Sequence, residues 1–291
     1  MQLIINGLIA GSFAALLASG LAFVYGLLGF FNFALGQIAL FTGYITWWLF
    51  SVLGLPFGLS LLGGLLLGGV LTMIVFEVSV APFYRRHNFL PLVTTIAMSI
   101  ILDGTLLMMF HEYPRSIQAG EKVFFDVVGT RFSIEQLILV VLTIVFLCLL
   151  SFFLARTSLG RRVRATVEHP EAAESLGINI RILHRSVFLM SGLLAGLGGI
   201  YYGIDQNLTP TLGFTITIKA YAALIAGGKK SLKGTILCAY AIAFLEQFAV
   251  GIPFFGFYIP AGYQGSVALL VIIAFLLYKP EGLFGSKTRS A

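Results

Sequence analysis

The chain has 291 residues, of which 58% are hydrophobic and only 10% are charged, and its mean hydropathy is +0.98. So much apolar surface cannot be enclosed in one water-soluble core, so the composition excludes a soluble globular protein and indicates the bilayer as solvent. The net charge of +6 does not indicate a nucleic-acid partner, because the aromatic residues lie within apolar runs and not beside a basic patch.

Nine apolar runs follow one another along the chain, each long enough, or nearly so, to cross about 30 Å of hydrocarbon. They cover roughly 3–28, 37–51, 57–81, 89–110, 134–155, 187–203, 214–227, 234–250 and 263–278. The runs 37–51, 187–203 and 214–227 are shorter than the ~20 residues of a straight span, which predicts tilted, interrupted or re-entrant helices there. The predicted fold is an all-α membrane protein, a polytopic bundle of about 8–10 transmembrane helices, some of them broken or re-entrant.

The basic residues predict how the chain is oriented in the membrane. With nine crossings, four groups fall on one side: Arg85 and Arg86; Arg156, Arg161, Arg162, Arg164, Arg181 and Arg185; Lys229, Lys230 and Lys233; and Lys279, Lys287 and Arg289. Cytoplasmic loops carry the excess of Lys and Arg, so we expect the N-terminus outside and the C-terminus in the cytoplasm. The N-terminus lacks a basic region and a small-residue cleavage site, so we expect no cleaved signal.

The longest polar stretch, about 156–186, is too short to build a core of its own. The chain 1–291 is therefore predicted to be a single transmembrane domain. The polar stretch must then serve as an interface or as a coupling element between the spans on either side.

A short helix is predicted in the middle of this stretch. Pro170 suits a first helical position, Glu171 and Glu174 lie in the opening turns where the helix dipole favours anions, and Gly177 lies where a helix commonly ends. The predicted helix runs for about two turns, from Pro170 to Leu176. At 3.6 residues per turn, one face is expected to hold Ala172, Ala173 and Leu176, and another the two glutamates. The pattern alone suits either a surface helix that joins two spans or one that docks on another protein.

Glu171-Ala172-Ala173, followed after three residues by Gly177, resembles the cytoplasmic coupling loop of ABC importer permeases. Its position between two spans, on the side that the charges assign to the cytoplasm, agrees with that resemblance. The resemblance implies that the loop docks into a groove of a separate ATPase. Glu171, Ala172, Ala173, Leu176 and Gly177 are the candidate coupling residues.

Other segments are similar, in order and spacing, to the Liv-type branched-chain amino acid permeases over nearly the whole chain. They are Val24-Tyr25-Gly26, Asn32-Phe33-Ala34 with Gly36, Glu77 followed by Ala81-Pro82 and Arg85, and the stretches LPLVTTIAMSIIL, LGRRVRA, SGLLAGLGGIYYG and KPEGLFG. Two departures are Leu35, where the family often has His, and the lysine-rich continuation Lys229-Lys230-Ser231-Leu232-Lys233 after Gly228. Because of these departures, the resemblance does not fix the identity of the solute or the contacts of these loops.

The resemblance implies a multi-pass permease subunit in the bacterial inner (plasma) membrane. Its implied partners are a second permease, giving a homodimer or a heterodimer, two cytoplasmic ABC ATPases that hydrolyse the ATP, and an external solute-binding protein. Membrane lipid is a further partner and nucleic acid is not. The implied solute is a branched-chain amino acid, with other amino acids, amides or urea as alternatives.

No enzymatic activity and no bound cofactor are predicted for the chain itself. It lacks the G-x-x-x-x-G-K-[ST] motif of ATPases, and the spacing fails in its nearest approach, at 227–231. Its four histidines, at 87, 111, 169 and 184, are never at metal-ligand spacing, and Cys148 and Cys238 lie inside apolar runs as small core residues would.

Five polar residues within or beside the spans are candidates for the solute pathway. Asp103 and Glu246 are carboxylates inside apolar runs, where charge is costly, so each either lines the pathway or contacts a neighbouring helix. Asn32 lies between two spans near glycines, where broken backbone can present amides to a zwitterion. Thr94 and Thr95 either line the pathway or bond their own backbone.

Two other function classes are alternatives to an ATP-driven permease. A secondary transporter or channel that needs no ATPase would require a coupling-ion site, for which Asp103 and Glu246 offer few ligands. An integral-membrane enzyme would require clustered His, Asp or Glu at a membrane face, and the sequence shows no such cluster.

Overall fold

A computed structural model of the chain describes residues 2–84, 89–118, 124–127, 130–229 and 231–251, and beyond these only residues 260, 265–266, 269–270, 273–274, 277 and 282–284. Ten α-helices occur in this part of the chain: α1 (Gln2–Leu28), α2 (Leu35–Trp47), α3 (Phe57–Val75), α4 (Leu90–Phe110), α5 (Ile134–Arg156), α6 (Ser158–Glu168), α7 (Pro170–Ser175), α8 (Ile180–Asp205), α9 (Leu212–Gly227) and α10 (Leu232–Gly251). One π-helical turn extends α2 over Trp48–Val52, and another extends α3 over Phe76–Val80. Two short antiparallel strands, β1 (Phe124–Val127) and β2 (Thr130–Ser133), form a hairpin before α5.

The predicted all-α polytopic membrane fold is confirmed. Seven helices of the described residues, including the extended α2 and α3, are long and apolar enough to span a membrane, and α9 is a shorter apolar helix. These eight match the first eight predicted runs, and the ninth run, 263–278, lies largely outside the described residues. The β hairpin was not predicted.

One of the predicted bounds is wrong. The run 187–203 is not a short span, since α8 begins at Ile180. The first two turns of α8 carry Arg181, His184 and Arg185, whose polarity excludes them from an apolar run. The connection between α5 and α8 is 157–179, and it contains α6 as well as the predicted helix. The prediction of a short helix was correct for α9, whose 16 residues span only about 24 Å.

Helices α1, α2 and α8 form the centre of the bundle. In the most apolar 18-residue window, 78% of α1 and 72% of α8 are buried, against 22% of α4 and 17% of α5. The exposed side chains of α4 and α5 are large and apolar, as expected for helices that face lipid. α9 and α10 pack on α1, and α9 also contacts α2.

Close backbone contact joins α8 to α2. A Cβ at Gly199 would overlap the backbone of Ala39, and a Cβ at Gly43 would in turn meet the carbonyl oxygen of Gly199. Small residues allow such close approach, and in a bilayer van der Waals contact is a main source of helix association. Gly199 therefore fixes the spacing of the two central helices.

The arginines of the connection 157–179 and its flanks lie at one end of the bundle, here called the basic end. Glu77, at the end of α3, forms ion pairs there with Arg181 and Arg185 of α8, whereas Arg85, the partner expected from sequence, lies outside the described residues. The Leu283 N–H donates to the Ala226 carbonyl at the same end, 2.8 Å away. At the opposite end, a two-way backbone pairing joins Arg115, after α4, to Leu208, after α8.

A bulky residue at Gly199 should separate α2 from α8. We expect Gly199→Val to destabilise the protein by about 1–3 kcal/mol, because overpacking forces backbone shifts. Gly104→Val on α4 is the matched control, because no atom lies within 4 Å of a Cβ built there. Thermal unfolding in detergent measures both variants, and equal loss of stability in the two would contradict the packing.

Candidate functional site

The predicted helix of the polar connection is present as α7, which runs over Pro170–Ser175 with Pro170 in its first turn. Its C-terminus is closed by Gly177, whose φ of 81° lies in the left-handed region. The Gly177 N–H donates to the Glu174 carbonyl at 3.0 Å, and the Ile178 N–H donates to the Ala173 carbonyl at 3.1 Å. These two bonds are the Schellman pattern that a left-handed residue permits.

The faces of α7 differ from the sequence prediction. Ala173 is 2% exposed and faces the protein, whereas Ala172 is exposed and Leu176 is 82% exposed. Ala173 points inward because the Schellman turn folds Ile178 back beneath it. The outward surface of α7 thus includes Glu171, Ala172 and Leu176.

Helix α6 anchors this connection to the membrane bundle. Val163 and Val167 of α6 pack on the hydrophobic core, while Arg161 and Arg162 are exposed. The Arg164 guanidinium donates to the carbonyls of Leu154 and Ala155, which lie in the last turn of α5. α7 therefore follows directly after a helix that is packed on the membrane bundle.

Helix α8 starts at Ile180, four residues after Leu176. Its first turn is capped by Asn179, whose side-chain oxygen accepts from the Ile182 N–H at 3.1 Å. The ion pairs of Arg181 and Arg185 with Glu77 hold this turn against α3. α8 then continues unbroken for 26 residues, about 39 Å, to the opposite end of the bundle.

Three of the five pathway candidates lie along the contact between α2 and α4. The Thr95 hydroxyl lies within 3.4–3.5 Å of backbone atoms of Phe31 and Phe33, on either side of Asn32. The Asn32 amide oxygen accepts from the Ala34 N–H at 3.1 Å, and its amide nitrogen is buried without a hydrogen-bond partner in the described part of the chain. The break between α1 and α2 is therefore held by polar side chains.

Asp103 joins the same contact through Gln37, a residue that the sequence reading missed. The Gln37 amide nitrogen donates to the Asp103 carboxylate at 3.2 Å, and Gln37 is 2% exposed. Thr94 does not join it, because its hydroxyl donates to the backbone carbonyl of Ser79 in the π turn of α3. From the sequence, carboxylates within apolar runs are candidates because they are costly to bury. The same rule applied to amides would have identified Gln37.

Glu246 lies apart from the other candidates, on the far side of α9. Its carboxylate accepts from the Lys219 ammonium at 3.0 Å, so it forms an ion pair between α10 and α9 within the bundle. Lys219 was missed by the sequence reading although it is a cation in the middle of an apolar run. Both residues line a cavity of about 210 Å³ between α1, α8, α9 and α10.

No group of three or more His, Cys, Asp or Glu side chains that could hold a metal ion occurs among the residues the structure describes. Cys238 is buried and Cys148 is exposed on α5, and both are free thiols. The polar side chains of the described bundle thus include amides, hydroxyls, the Asp103 carboxylate and the ion pair of Lys219 with Glu246, which suit binding of a small polar solute.

Comparison with known proteins identifies related sequences. Residues 3–276 match the family described as branched-chain amino acid transport system, permease component. The high-affinity branched-chain amino acid transport system permease protein BraD of Pseudomonas aeruginosa is 29% identical over 300 residues, which cover 98% of this chain and 95% of that protein. The corresponding permease protein LivH of Escherichia coli is 25% identical over 302 residues, with the same coverage.

One solved structure shares the fold. PsaBC from Streptococcus pneumoniae, solved in complex with Fab, aligns with a TM-score of 0.51 and 16% identity over 98% of this chain and 94% of that chain. At this identity the match supports the arrangement of helices and nothing about the solute.

The left-handed turn at Gly177 should be needed for an ordered α7. A β-branched residue in this conformation costs about 1–2 kcal/mol, so Gly177→Val should raise the hydrogen exchange rate of the α7 amides about 5- to 30-fold. Gly177→Asn is the control, because Asn tolerates the left-handed region. Equal exchange in the two variants would show that the turn does not close the helix.

Proposed function

The chain belongs to the family of branched-chain amino acid transport permeases, and on that premise we propose how it works as the membrane subunit of an ATP-driven importer. It resides in the inner (plasma) membrane and pairs with a second permease. Two cytoplasmic ATPases bind the pair and hydrolyse the ATP, and an external binding protein delivers the solute. We assign a branched-chain or closely related amino acid as that solute. The chain has no ATPase motif and binds no cofactor of its own.

The orientation follows from the basic end. The arginines of the connection 157–179 and its flanks lie there together with α7, and the positive-inside rule places such an end in the cytoplasm. The N-terminus of α1 then faces outside and residues 282–284 face inside. This orientation directs α7 at the ATPase, and it places the 111–133 connection where a binding protein docks.

The observation that carries the proposal is the direct link from α7 to the centre of the bundle. The exposed surface of Glu171, Ala172 and Leu176 is small enough to enter a groove, and covering Leu176, which is 82% exposed, would favour that contact by burying apolar surface. Movement of α7 reaches α8 within four residues, and the Schellman turn at Gly177 makes this connection short and defined. ATP-driven closure of the ATPases would thus move α8 relative to its neighbours.

The candidate pathway residues have different roles in this proposal. We assign Glu246 to the solute pathway because it lines a cavity. Asn32, Thr95 and Asp103 remain pathway candidates along the contact of α2 with α4. We assign Thr94 a structural role, because the backbone of α3 occupies its hydroxyl.

Replacing the exposed leucine of α7 should uncouple the permease from its ATPase. We expect Leu176→Arg to abolish co-purification of the ATPase and to lower uptake of radiolabelled leucine to background in proteoliposomes. Ala165→Arg is the matched control, because it adds the same charge to an exposed position of α6, and it should retain both properties. Uptake that continues after omission of the ATPase would contradict the proposed function and favour a secondary transporter.

A further inference from the structure

We propose that the cavity between α1, α8, α9 and α10 binds the amino acid during transport, with Lys219 receiving its carboxylate and Glu246 its ammonium group. The inference rests on the proposed function and specifies the site and the chemistry of recognition. The two ends of the zwitterion would bind two opposite charges that the protein already holds side by side.

The first argument is the unused hydrogen-bonding capacity of the ion pair. A charged residue inside a membrane bundle is costly unless it is paired or functional. Glu246 is 5% exposed, yet its second carboxylate oxygen has no hydrogen-bond partner among the described residues. The Lys219 ammonium has three donors, and its side chain is 30% exposed. One 3.0 Å contact therefore leaves a buried carboxylate oxygen without a hydrogen-bond partner, and further ammonium donors, beside the cavity.

The second argument is that the polarity and volume of the cavity match the apolar side chain and the size of the amino acid. Apart from the charged pair, the wall is mainly apolar, with contributions from Ile9, Phe13, Leu17, Ile216 and Ile242. Its volume of about 210 Å³ corresponds to roughly seven waters at ~30 Å³ each, below the ~300–1,000 Å³ typical of sites for drug-sized ligands. A small zwitterion with an uncharged apolar side chain fits this combination of charge, polarity and size.

The third argument is that a coupling cation fits the same place poorly. Hard cations take about six to eight oxygen ligands, or an octahedron of oxygens and waters. Here the best buried oxygen donor, Glu246, is 3.0 Å from the Lys219 ammonium, which would repel the ion. The arrangement therefore favours a ligand that brings both charges.

The position of α8 connects this site to the ATPase-facing surface. Tyr201, Tyr202 and Asp205, in its last turns, line the cavity. The Asp205 carboxylate is held by the side-chain amides of Gln136, at 2.8 Å, and Gln206, at 3.0 Å. A shift of α8 that begins at α7 would thus change the cavity wall opposite α10 and release the bound amino acid.

The test uses the whole importer in proteoliposomes, with leucine-loaded binding protein outside and ATP inside. We expect Lys219→Met and Glu246→Gln each to lower the maximal rate of leucine uptake at least about tenfold, the effect of losing one charge-assisted hydrogen bond. The concentration of loaded binding protein at half-maximal rate should not change, because neither side chain lies on the outer surface. Lys233→Met and Glu168→Gln, which neutralise exposed charges outside the cavity, are the controls and should transport normally.

The double variant Lys219→Glu, Glu246→Lys separates recognition from a purely structural ion pair. It keeps an ion pair between α9 and α10, so it should restore assembly and thermal stability. It should not restore uptake of L-leucine, because exchanging the two charged ends about a chiral carbon misplaces the side chain. Restored uptake, or normal uptake by either single variant, would overturn the inference. A wild-type importer that fails to take up any amino acid would instead overturn the proposed function.

Discussion

The packing of α8 on α2 is the constraint on which the rest of the architecture depends. Gly199 and Ala39 bring the two backbones into contact, which leaves no room for either helix to slide without a change elsewhere. α8 is therefore best described as a single stiff element held at its centre. Its first turn is tied to α3 by two arginines on Glu77, and its last turn is tied to α5 through Gln136 and Asp205.

A stiff helix that is fixed at its centre suits the transfer of movement between its ends. One end follows α7 after a short turn at Gly177, and the other forms part of a cavity that contains an intramembrane ion pair. The two ion pairs at the basic end are exposed, and such pairs contribute only about 0–1 kcal/mol each, so they can break and re-form during a transport cycle. The close backbone contact at Gly199 cannot break and re-form in this way. α8 and α2 are therefore expected to move together, whereas α8 and α3 can separate at the basic end.

Much of the fold could be predicted from sequence because bilayer thickness fixes helix length, and eight apolar runs became eight apolar helices. The α7 helix was equally predictable, since Pro170 and Gly177 act through local backbone geometry. What could not be predicted depended on tertiary packing. The start of α8 was hidden by Arg181, His184 and Arg185, which are placed where the helix leaves the membrane. The pairing of Glu246 with Lys219, the contact of Gln37 with Asp103 and the burial of Ala173 each require knowing which helices are neighbours.

The most direct test of this account measures distances in the importer before and after ATP binding. Spin labels at Ile182 and Gln206, in a background with Cys148 and Cys238 replaced by alanine, span α8, and labels at Gln206 and Gln247 span the cavity. Movement of α8 as one stiff element predicts that the first distance, about 36 Å along the helix, stays constant while the second changes. A change in the first distance, or a constant second distance during active transport, would contradict it.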